Sequence, residues 1–459
     1  MHDGMNLEKK AYASSAGASL NNETLAINCV IHSCKRNSNT FIRAACLGRM
    51  IVVQEYLKMK KSIVFIVTVS LILGRNFSAA ETTGYGPGIT DTEIKIGQTM
   101  PYTGPASAYG SCGKAHQAFF NSLNQQGGIN GRKVNLISLD DAMNPAKTVE
   151  QIRRLVEHDH VLLIFSVLGT GSLSIVNYLN EKKVPFLFPA AAHKKFHQPK
   201  KYPWVMGWVP SFGFEGRMFA RYILKHRPNA KIGIIWERDD MGIEEVTDFK
   251  DELGPKAKQM IVADVSYELT DPTVDSQLIS IKGAGADTLI SLTTPKFAAQ
   301  TLRKVHDLNW RPLHLTTYGA ASVGATLRLA GSDRAVGLIT AYFAKDPTNP
   351  AVQNDLDVKE FLAWKEKYFK EGDIADSCIP YSYMQAHLLV QVLKQCGNDL
   401  SRENIMRQAA NLRDVRIPLL LPGITINTSP TDYRPIKEMQ FMHFDGERWL
   451  IFDERMMEK

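Results

Sequence analysis

Residues 94–158 decide the fold class, because they alternate short apolar segments with amphipathic ones. They read IKIGQTM at 94–100, GKAHQAFFNSLNQQGG at 113–128, VNLISLDDA at 134–142 and NPAKTVEQIRRLVEH at 144–158. The first and third segments have the length and apolar content of buried strands, and the second and fourth have helical spacing. Nearly continuous hydrophobic strands joined by amphipathic helices predict a parallel sheet covered on both faces, which is an α/β fold.

The same alternation continues along the chain as two series, the second of which runs from 214 to 331. Between the series, PWVMGWVPSFG at 203–213 is extended, aromatic and interrupted by Pro and Gly, so we interpret it as a crossing between two lobes. We predict a second crossing at 338–347. A helical stretch at 355–411 and a terminal antiparallel hairpin follow. A chain that builds one lobe, crosses to another and returns predicts a hinged two-lobe protein.

The net charge of +7 on the 459 residues resides almost entirely near the N-terminus. Residues 1–80 hold ten basic and four acidic side chains, which leaves 44 basic and 43 acidic side chains in the other 379 residues. A nearly neutral chain offers no electrostatic attraction to a polyanion, so we expect no nucleic-acid partner. The apolar fraction of 44% and the charged fraction of 22% are those of an ordinary globular protein.

Residues 59–80 have the three parts of an export signal in order. Met59-Lys60-Lys61 is followed by the 13-residue apolar run SIVFIVTVSLILG and then by Ser78-Ala79-Ala80. The run is shorter than the roughly 20 residues of a membrane-spanning helix. We predict cleavage after Ala80; the alternative is a buried core helix. Residues 1–58 are interpreted as a spurious upstream extension, and a genuine extension is the alternative.

Three cysteines remain after this predicted cleavage, namely Cys112, Cys378 and Cys396. Cys378 and Cys396 flank a helical stretch that spans about 24 Å, whereas a disulfide needs Cα atoms about 4.4–6.8 Å apart. We therefore expect no bond between these two. A bond between Cys112 and Cys378 is geometrically open, and no bond is expected to be essential to function.

No motif of the chain predicts catalysis, a cofactor or a metal. Gly169-Thr170-Gly171 matches half of a dinucleotide fingerprint, but the third small position holds Ser174 and the turn follows the third strand. Asp140 and Asp141 are adjacent and point in opposite directions, which favours capping over acid–base work. The pair His193 and His197 is interpreted as part of a polar loop. We predict that the protein is not an enzyme.

The turns at the carboxyl ends of the strands are the candidate ligand site, because open α/β sheets bind ligands there. Four turns qualify, at 102–109, 168–172, 189–193 and 293–297. The second reads Leu-Gly-Thr-Gly-Ser, and its small residues and exposed backbone N–H groups favour an anion such as a carboxylate.

Several segments, in this order and spacing, resemble the type I periplasmic substrate-binding proteins of ABC importers, in their Leu/Ile/Val-binding branch. The segments are Ile94–Gly97 with Thr103-Gly104-Pro105, Tyr109-Gly110, Gly127–Gly131, Asp140-Asp141-Ala142 with Pro145, Tyr178–Pro185, and Ala330-Gly331 with Gly337. The resemblance covers essentially all of 59–459. It implies a clamshell of two Rossmann-like lobes, built from 90–207 with 343–434 and from 208–342 with 435–459. It also implies a third interlobe crossing near 434–440 and a ligand in the cleft.

The resemblance also implies site residues. The ligand carboxylate would be held at Gly169 and Thr170 and at Ala190 and Ala192, while Tyr109 would cover the ligand side chain. The alternatives are that Tyr109 is an exposed helix-start residue and that Thr170 is only a helix cap. The full predicted set is Tyr109, Gly169, Thr170, Ala190, Ala192, Asp240, Met241, Thr294 and Tyr318.

The chain departs from this family where amino-acid binders place an acidic residue for the ligand ammonium. The corresponding turn, at 317–321, reads Thr-Tyr-Gly-Ala-Ala, and Met241 and Thr294 stand where the family has aromatic residues. A buried ammonium without a carboxylate is costly. We therefore predict a carboxylate or other polar solute without an obligatory α-ammonium, such as an aromatic or branched acid. Asp240 is the one alternative ammonium partner.

These observations together predict a monomeric periplasmic solute-binding protein without a cofactor. It would capture a small organic solute by hinge closure and deliver it to an ABC permease through a transient contact. The alternative function is a sensory protein that reports its ligand to a membrane receptor. The identity of the solute is left open by the sequence.

Overall fold

A computed structural model of the chain describes residues 86–458. The predicted extension at 1–58 and the predicted export signal at 59–80 lie outside these residues. Among the residues that are described, no helix combines the length and the apolar character needed to cross a membrane.

The first lobe is built on a five-stranded sheet in which all pairs are parallel, with the strand order β2-β1-β3-β4-β5. Its strands are β1 Glu93–Met100, β2 Lys133–Asp140, β3 Leu163–Phe165, β4 Phe186–Leu187 and β5 Val205–Met206. Its first helices are α1 Gly110–Gln125, α2 Pro145–Glu157, α3 Gly171–Ser174 and α4 Val176–Glu181. Asn144 caps α2 by accepting hydrogen bonds from the backbone N–H groups of Ala146 and Lys147, and Pro145 occupies the first helical position.

The second lobe is built on a seven-stranded sheet with the strand order β12-β11-β10-β9-β8-β6-β7. The strands are β6 Ile232–Glu237, β7 Ile261–Tyr267, β8 Thr288–Leu292, β9 Leu313–Thr316, β10 Ile339–Tyr342, β11 Glu438–Phe444 and β12 Trp449–Met457. The strands β6 to β10 pair in parallel, and β11 and β12 add the predicted terminal hairpin in antiparallel orientation. The helices between β5 and β10 are α5 Phe212–His226, α6 Asp240–Leu253, α7 Ala257–Met260, α8 Asp275–Gly283, α9 Pro295–Asp307 and α10 Arg328–Ala330.

Three further helices follow β10, namely α11 Leu356–Tyr368, α12 Cys378–Gln395 and α13 Arg402–Ala409. They pack on the first lobe, where α12 lies against α1 and the Trp364 indole N–H donates to the Ser122 hydroxyl at 3.0 Å. The two-lobed α/β fold class is confirmed by this architecture. The exact lobe boundaries and the number of crossings stay predictions.

The sequence pattern predicts a strand over the apolar run 162–169 and a helix over 321–331, and both predictions are wrong in detail. The apolar run 162–169 forms a strand only over Leu163–Phe165, because Ser166 adopts a left-handed φ of 53° and its hydroxyl donates to Gln385 Oε1 at 2.7 Å. The run 321–331 forms a π-helical turn over Val323–Leu327 followed by the single turn of α10, and not one continuous helix.

A disulfide joins Cys112 in the first turn of α1 to Cys378, the first residue of α12. Cys396 is a buried free thiol, so the expectation that Cys378 and Cys396 do not pair is confirmed. The bond between Cys112 and Cys378, which the sequence left open, is present and joins the beginnings of two first-lobe helices.

Candidate ligand-binding cleft

A cavity of about 130 Å³ lies between the two lobes. Its lining residues follow the carboxyl ends of strands in both sheets, which is where open α/β sheets place ligands. The first lobe contributes residues after β1, β2, β3 and β4, together with Ser377, Cys378 and Tyr381. The second lobe contributes residues after β6, β8 and β9, together with Phe212 and Tyr342.

The first-lobe wall of the cavity is mainly apolar. Leu168, Ala190, Met143 and the Cys112–Cys378 disulfide line it. Gly169 has a φ of +66°, and a Cβ atom there would lie 2.4 Å from Cε of Met143. Glycine at this position therefore permits both the left-handed turn and the close approach of Met143.

A direct hydrogen bond between the lobes crosses the cleft. The Tyr109 hydroxyl, at the end of a short 3₁₀ turn before α1, donates to the backbone carbonyl of Gly319 at 3.0 Å. Tyr109 belongs to the first lobe and Gly319 follows β9 of the second. The two lobes are thus in contact beside the cavity.

Three carboxylates of the second lobe line the cavity, namely Glu237, Asp239 and Glu245. Glu237 ends β6, and its Oε2 accepts hydrogen bonds from the Tyr267 hydroxyl at 2.8 Å and from Thr294 Oγ1 at 3.1 Å. Asp239 caps α6 by accepting from the Gly242 N–H at 2.7 Å. Burial raises the pKa of Glu237 to about 7 and the pKa of Asp239 to about 6.

Glu245 lies on α6 next to Glu215 of α5. Glu215 is fully buried and accepts from Thr317 Oγ1 at 2.7 Å and from the Tyr318 N–H at 2.9 Å. Burial raises the pKa values of Glu215 and Glu245 above their ordinary values. The nearby Glu215 carboxylate raises the pKa of Glu245 further, because like charges in a buried site repel.

Glu244, the residue before Glu245 on α6, bonds to the first lobe and does not line the cavity. It accepts from the Lys194 N–H at 3.1 Å, and His193 Nε2 lies 3.1 Å from its Oε2. The Nδ1 atom of His193 accepts from the Lys195 N–H at 3.0 Å, so Nε2 carries the hydrogen and donates to Glu244. His193 therefore serves an interlobe contact.

Six of the nine predicted site residues line the cavity: Tyr109, Gly169, Ala190, Met241, Thr294 and Tyr318. The other three do not. Thr170 precedes the first residue of α3 and makes no side-chain cap bond. Ala192 is 1% exposed and packs in the core, and Asp240 is exposed on the first turn of α6. That the six lining residues contact a ligand stays a prediction.

The sequence pointed to Asp240 as an ammonium partner, but Asp240 does not line the cavity. The turn at 317–321 does lack an acidic residue, but Glu237, Asp239 and Glu245 reach the cavity from β6 and α6. Asp239 and not Asp240 is turned inward, because the two adjacent residues occupy the cap and the first position of α6. One signal was available, since Met241 and Glu245 are four residues apart and share a helix face.

Comparisons with known proteins agree with this architecture. The family model described as "Periplasmic binding protein" matches residues 93–448. The Leu/Ile/Val-binding protein homolog 3 of Brucella melitensis is 25% identical over 268 residues, which are 57% of this chain and 70% of the relative.

Solved structures agree as well. A branched chain amino acid ABC transporter from Thermus thermophilus with bound valine has a TM-score of 0.73 at 16% identity, over 81% of this chain and 98% of that one. A fatty acid ABC transporter substrate-binding protein from Thermomonospora curvata has a TM-score of 0.68 at 19% identity, over 82% and 95%. At these identities the likeness concerns the fold alone. The resemblance seen in the sequence is confirmed, and the family match over most of the chain shows that this protein belongs to the periplasmic binding protein family.

Proposed function

We propose that this protein is a periplasmic solute-binding protein that captures a small organic solute by closure of its two lobes and delivers it to an ABC permease. The observation that carries the proposal is the cavity, whose wall is built by both lobes and is bridged by the bond from Tyr109 to Gly319. The relatives, named as binding proteins and ABC transporter components, support the same function.

The mechanism is a shift between open and closed arrangements of the lobes. A solute that contacts both walls binds the closed arrangement better than the open one, and this difference in affinity drives closure. The interlobe bonds of Tyr109 and Glu244 stabilise the same arrangement. We therefore infer capture and release of an unchanged solute.

A thermal-shift screen of amino acids, amides, amines and organic acids tests solute capture. A solute at one hundred times its Kd stabilises the folded protein by about 2.7 kcal/mol, so a cognate compound is readily detected. Uptake of that compound by cells should be lost when the gene is deleted and restored by the intact gene. A screen in which no compound stabilises the protein would contradict the proposal.

Replacing Tyr109 by Phe should weaken solute binding by about two- to ten-fold, which is the contribution of one net hydrogen bond. The replacement removes the bond to Gly319, which forms only when the lobes are together, so it destabilises the closed arrangement alone. Isothermal titration measures the change. Tyr433→Phe is the matched control, since the Tyr433 hydroxyl also donates to a backbone carbonyl, that of Pro203, away from the cavity. Equal affinities of the two variants would show that the bond across the cleft does not favour closure.

A further inference from the structure

All charged side chains that line the cavity are acidic. Glu237, Asp239 and Glu245 face it, and among the described lining residues there is no Lys, Arg or His. A buried carboxylate is stable only when it is paired or protonated. Glu215 and Glu245 are 0% and 3% exposed on the packed helices α5 and α6, so two carboxyl groups are buried on neighbouring helices, where like charges repel. A positively charged group would satisfy these carboxylates in place of protons.

An independent observation points to a hydrogen-bond donor in the same place. Thr293 lines the cavity and is 4% exposed, yet its Oγ1 has no hydrogen-bond partner among the described residues. Glu245 is 3% exposed, and its Oε1 atom likewise has no hydrogen-bond partner among the described residues. Buried polar atoms of native proteins are nearly always hydrogen-bonded. The N–H groups of an ammonium would donate to both atoms.

The opposite wall gives little support to a ligand carboxylate. At the turn where the sequence predicted an anion site, Leu168, Gly169 and Ala190 line the cavity but Thr170 does not. The nearby Ser172 hydroxyl is fully buried and donates to the Gly169 carbonyl at 2.5 Å. A carboxylate placed here would find no basic side chain on this wall and would face three carboxylates across the cavity.

From these contacts we propose that the solute of this cleft is a small organic amine of net positive charge. Its ammonium lies against Glu237, Asp239 and Glu245, and its apolar part lies against the first-lobe wall. The inference rests on the proposed function and specifies its substrate class, without requiring an α-carboxylate on the solute.

Compounds that share a 3-methylbutyl group but differ in charge provide the test. Isothermal titration at pH 7.5 compares 3-methylbutylamine, leucine, 4-methyl-2-oxopentanoate and the neutral 3-methylbutan-1-ol, with 1,4-diaminobutane as a second amine. We expect an amine to bind about ten-fold or more tightly than leucine, because the amine brings an ammonium to the acidic wall without adding a carboxylate of its own. Tighter or equal binding of leucine or the oxo acid, or no binding of either amine, overturns the inference. The proposed function fails separately, if no compound of any charge binds.

Charge-removing variants locate the contact. Glu237→Gln keeps an oxygen acceptor for Tyr267 and Thr294 and should weaken amine binding about ten-fold or more, while binding of the neutral alcohol changes by less than about two-fold. Glu268→Gln is the matched control, because Glu268 is an exposed carboxylate near Glu237 that does not line the cavity. Equal losses in the two variants, or equal losses of amine and alcohol, would overturn the assigned contact.

The pH dependence of amine binding gives a readout that needs no variant. The raised pKa values of Glu237 and Asp239 mean that both carry protons in part of the molecules at pH 6 and few at pH 8. An alkylammonium keeps its charge across this range. Amine affinity should therefore rise with pH, by about ten-fold per unit where one proton is displaced. Affinity that is flat or falls with pH contradicts the inference.

Other charged and titratable groups surround these carboxylates. They are Glu215 on α5, Asp240, Glu244 and Asp248 on α6, Tyr267 and Glu268 at the end of β7, and, around Glu244 and Asp248, His193, Lys194 and Arg217. The three basic groups pair with Glu244 and Asp248, neither of which lines the cavity.

Discussion

Replacing Cys112 and Cys378 together by alanine should lower the free energy of unfolding by about 2–5 kcal/mol. The two residues are 266 positions apart, so their bond closes a very long loop and strongly restricts the unfolded chain. Urea unfolding of the oxidised wild type and of the double variant measures the loss.

Cys396→Ala is the control for this experiment, because Cys396 is buried but forms no disulfide. Its replacement removes packing alone and should cost less than the double variant. A reducing agent should destabilise the wild type and the Cys396→Ala variant and leave the double variant unchanged. If a reductant moves all three transitions alike, the bond is not the source of the stability.

Replacing Gly216 by alanine should destabilise the protein by about 1–3 kcal/mol through overpacking. A Cβ atom at Gly216 would lie 2.4 Å from the backbone carbonyl oxygen of Glu245 and 3.3 Å from the backbone N of Phe249. Backbone atoms of a packed helix cannot rotate away as a side chain does, so α5 and α6 must separate. The same two helices carry Glu215 and Glu245, and their separation disturbs the acidic wall of the cavity.

Gly283→Ala is the matched control, since Gly283 ends α8 and no atom lies within 4 Å of an added Cβ. Alanine there should leave stability unchanged or raise it by up to about 1 kcal/mol through helix propensity. Thermal unfolding of both variants separates the two effects. A Gly216→Ala variant as stable as the wild type would mean that the helices can move apart at no cost.

Most of the fold could be predicted because its strands are specified locally. The run predicted at 94–100 is observed as β1 over Glu93–Met100, and the run predicted at 134–142 as β2 over Lys133–Asp140. Buried parallel strands are almost continuously apolar, and that pattern needs no distant partner. The early end of β3 could not be predicted, because it depends on a bond between Ser166 and Gln385, which are 219 positions apart.

The candidate site was predictable in place but not in chemistry. Strand ends identify the edge of the sheet at which a cleft opens, and this places Tyr109, Gly169 and Thr294 correctly beside the cavity. Which of two adjacent side chains turns inward depends on where the helix begins, and a shift of one residue exchanges Asp239 for Asp240. The acidic character of the second wall follows from that register and from the packing of α5 on α6.

Glu244 has a consequence for the kinetics of transport. This carboxylate lies outside the cavity, yet the lobes cannot part until its bonds to the His193 ring and the Lys194 backbone break. Burial raises the pKa of Glu244 to about 7, so near neutral pH this carboxyl group is protonated in part of the molecules and ionised in the rest. A bound solute escapes only after these bonds open. Under the proposed function, the time for which the solute stays bound, and with it the interval available for delivery to a permease, is set in part by a residue that lies outside the cavity.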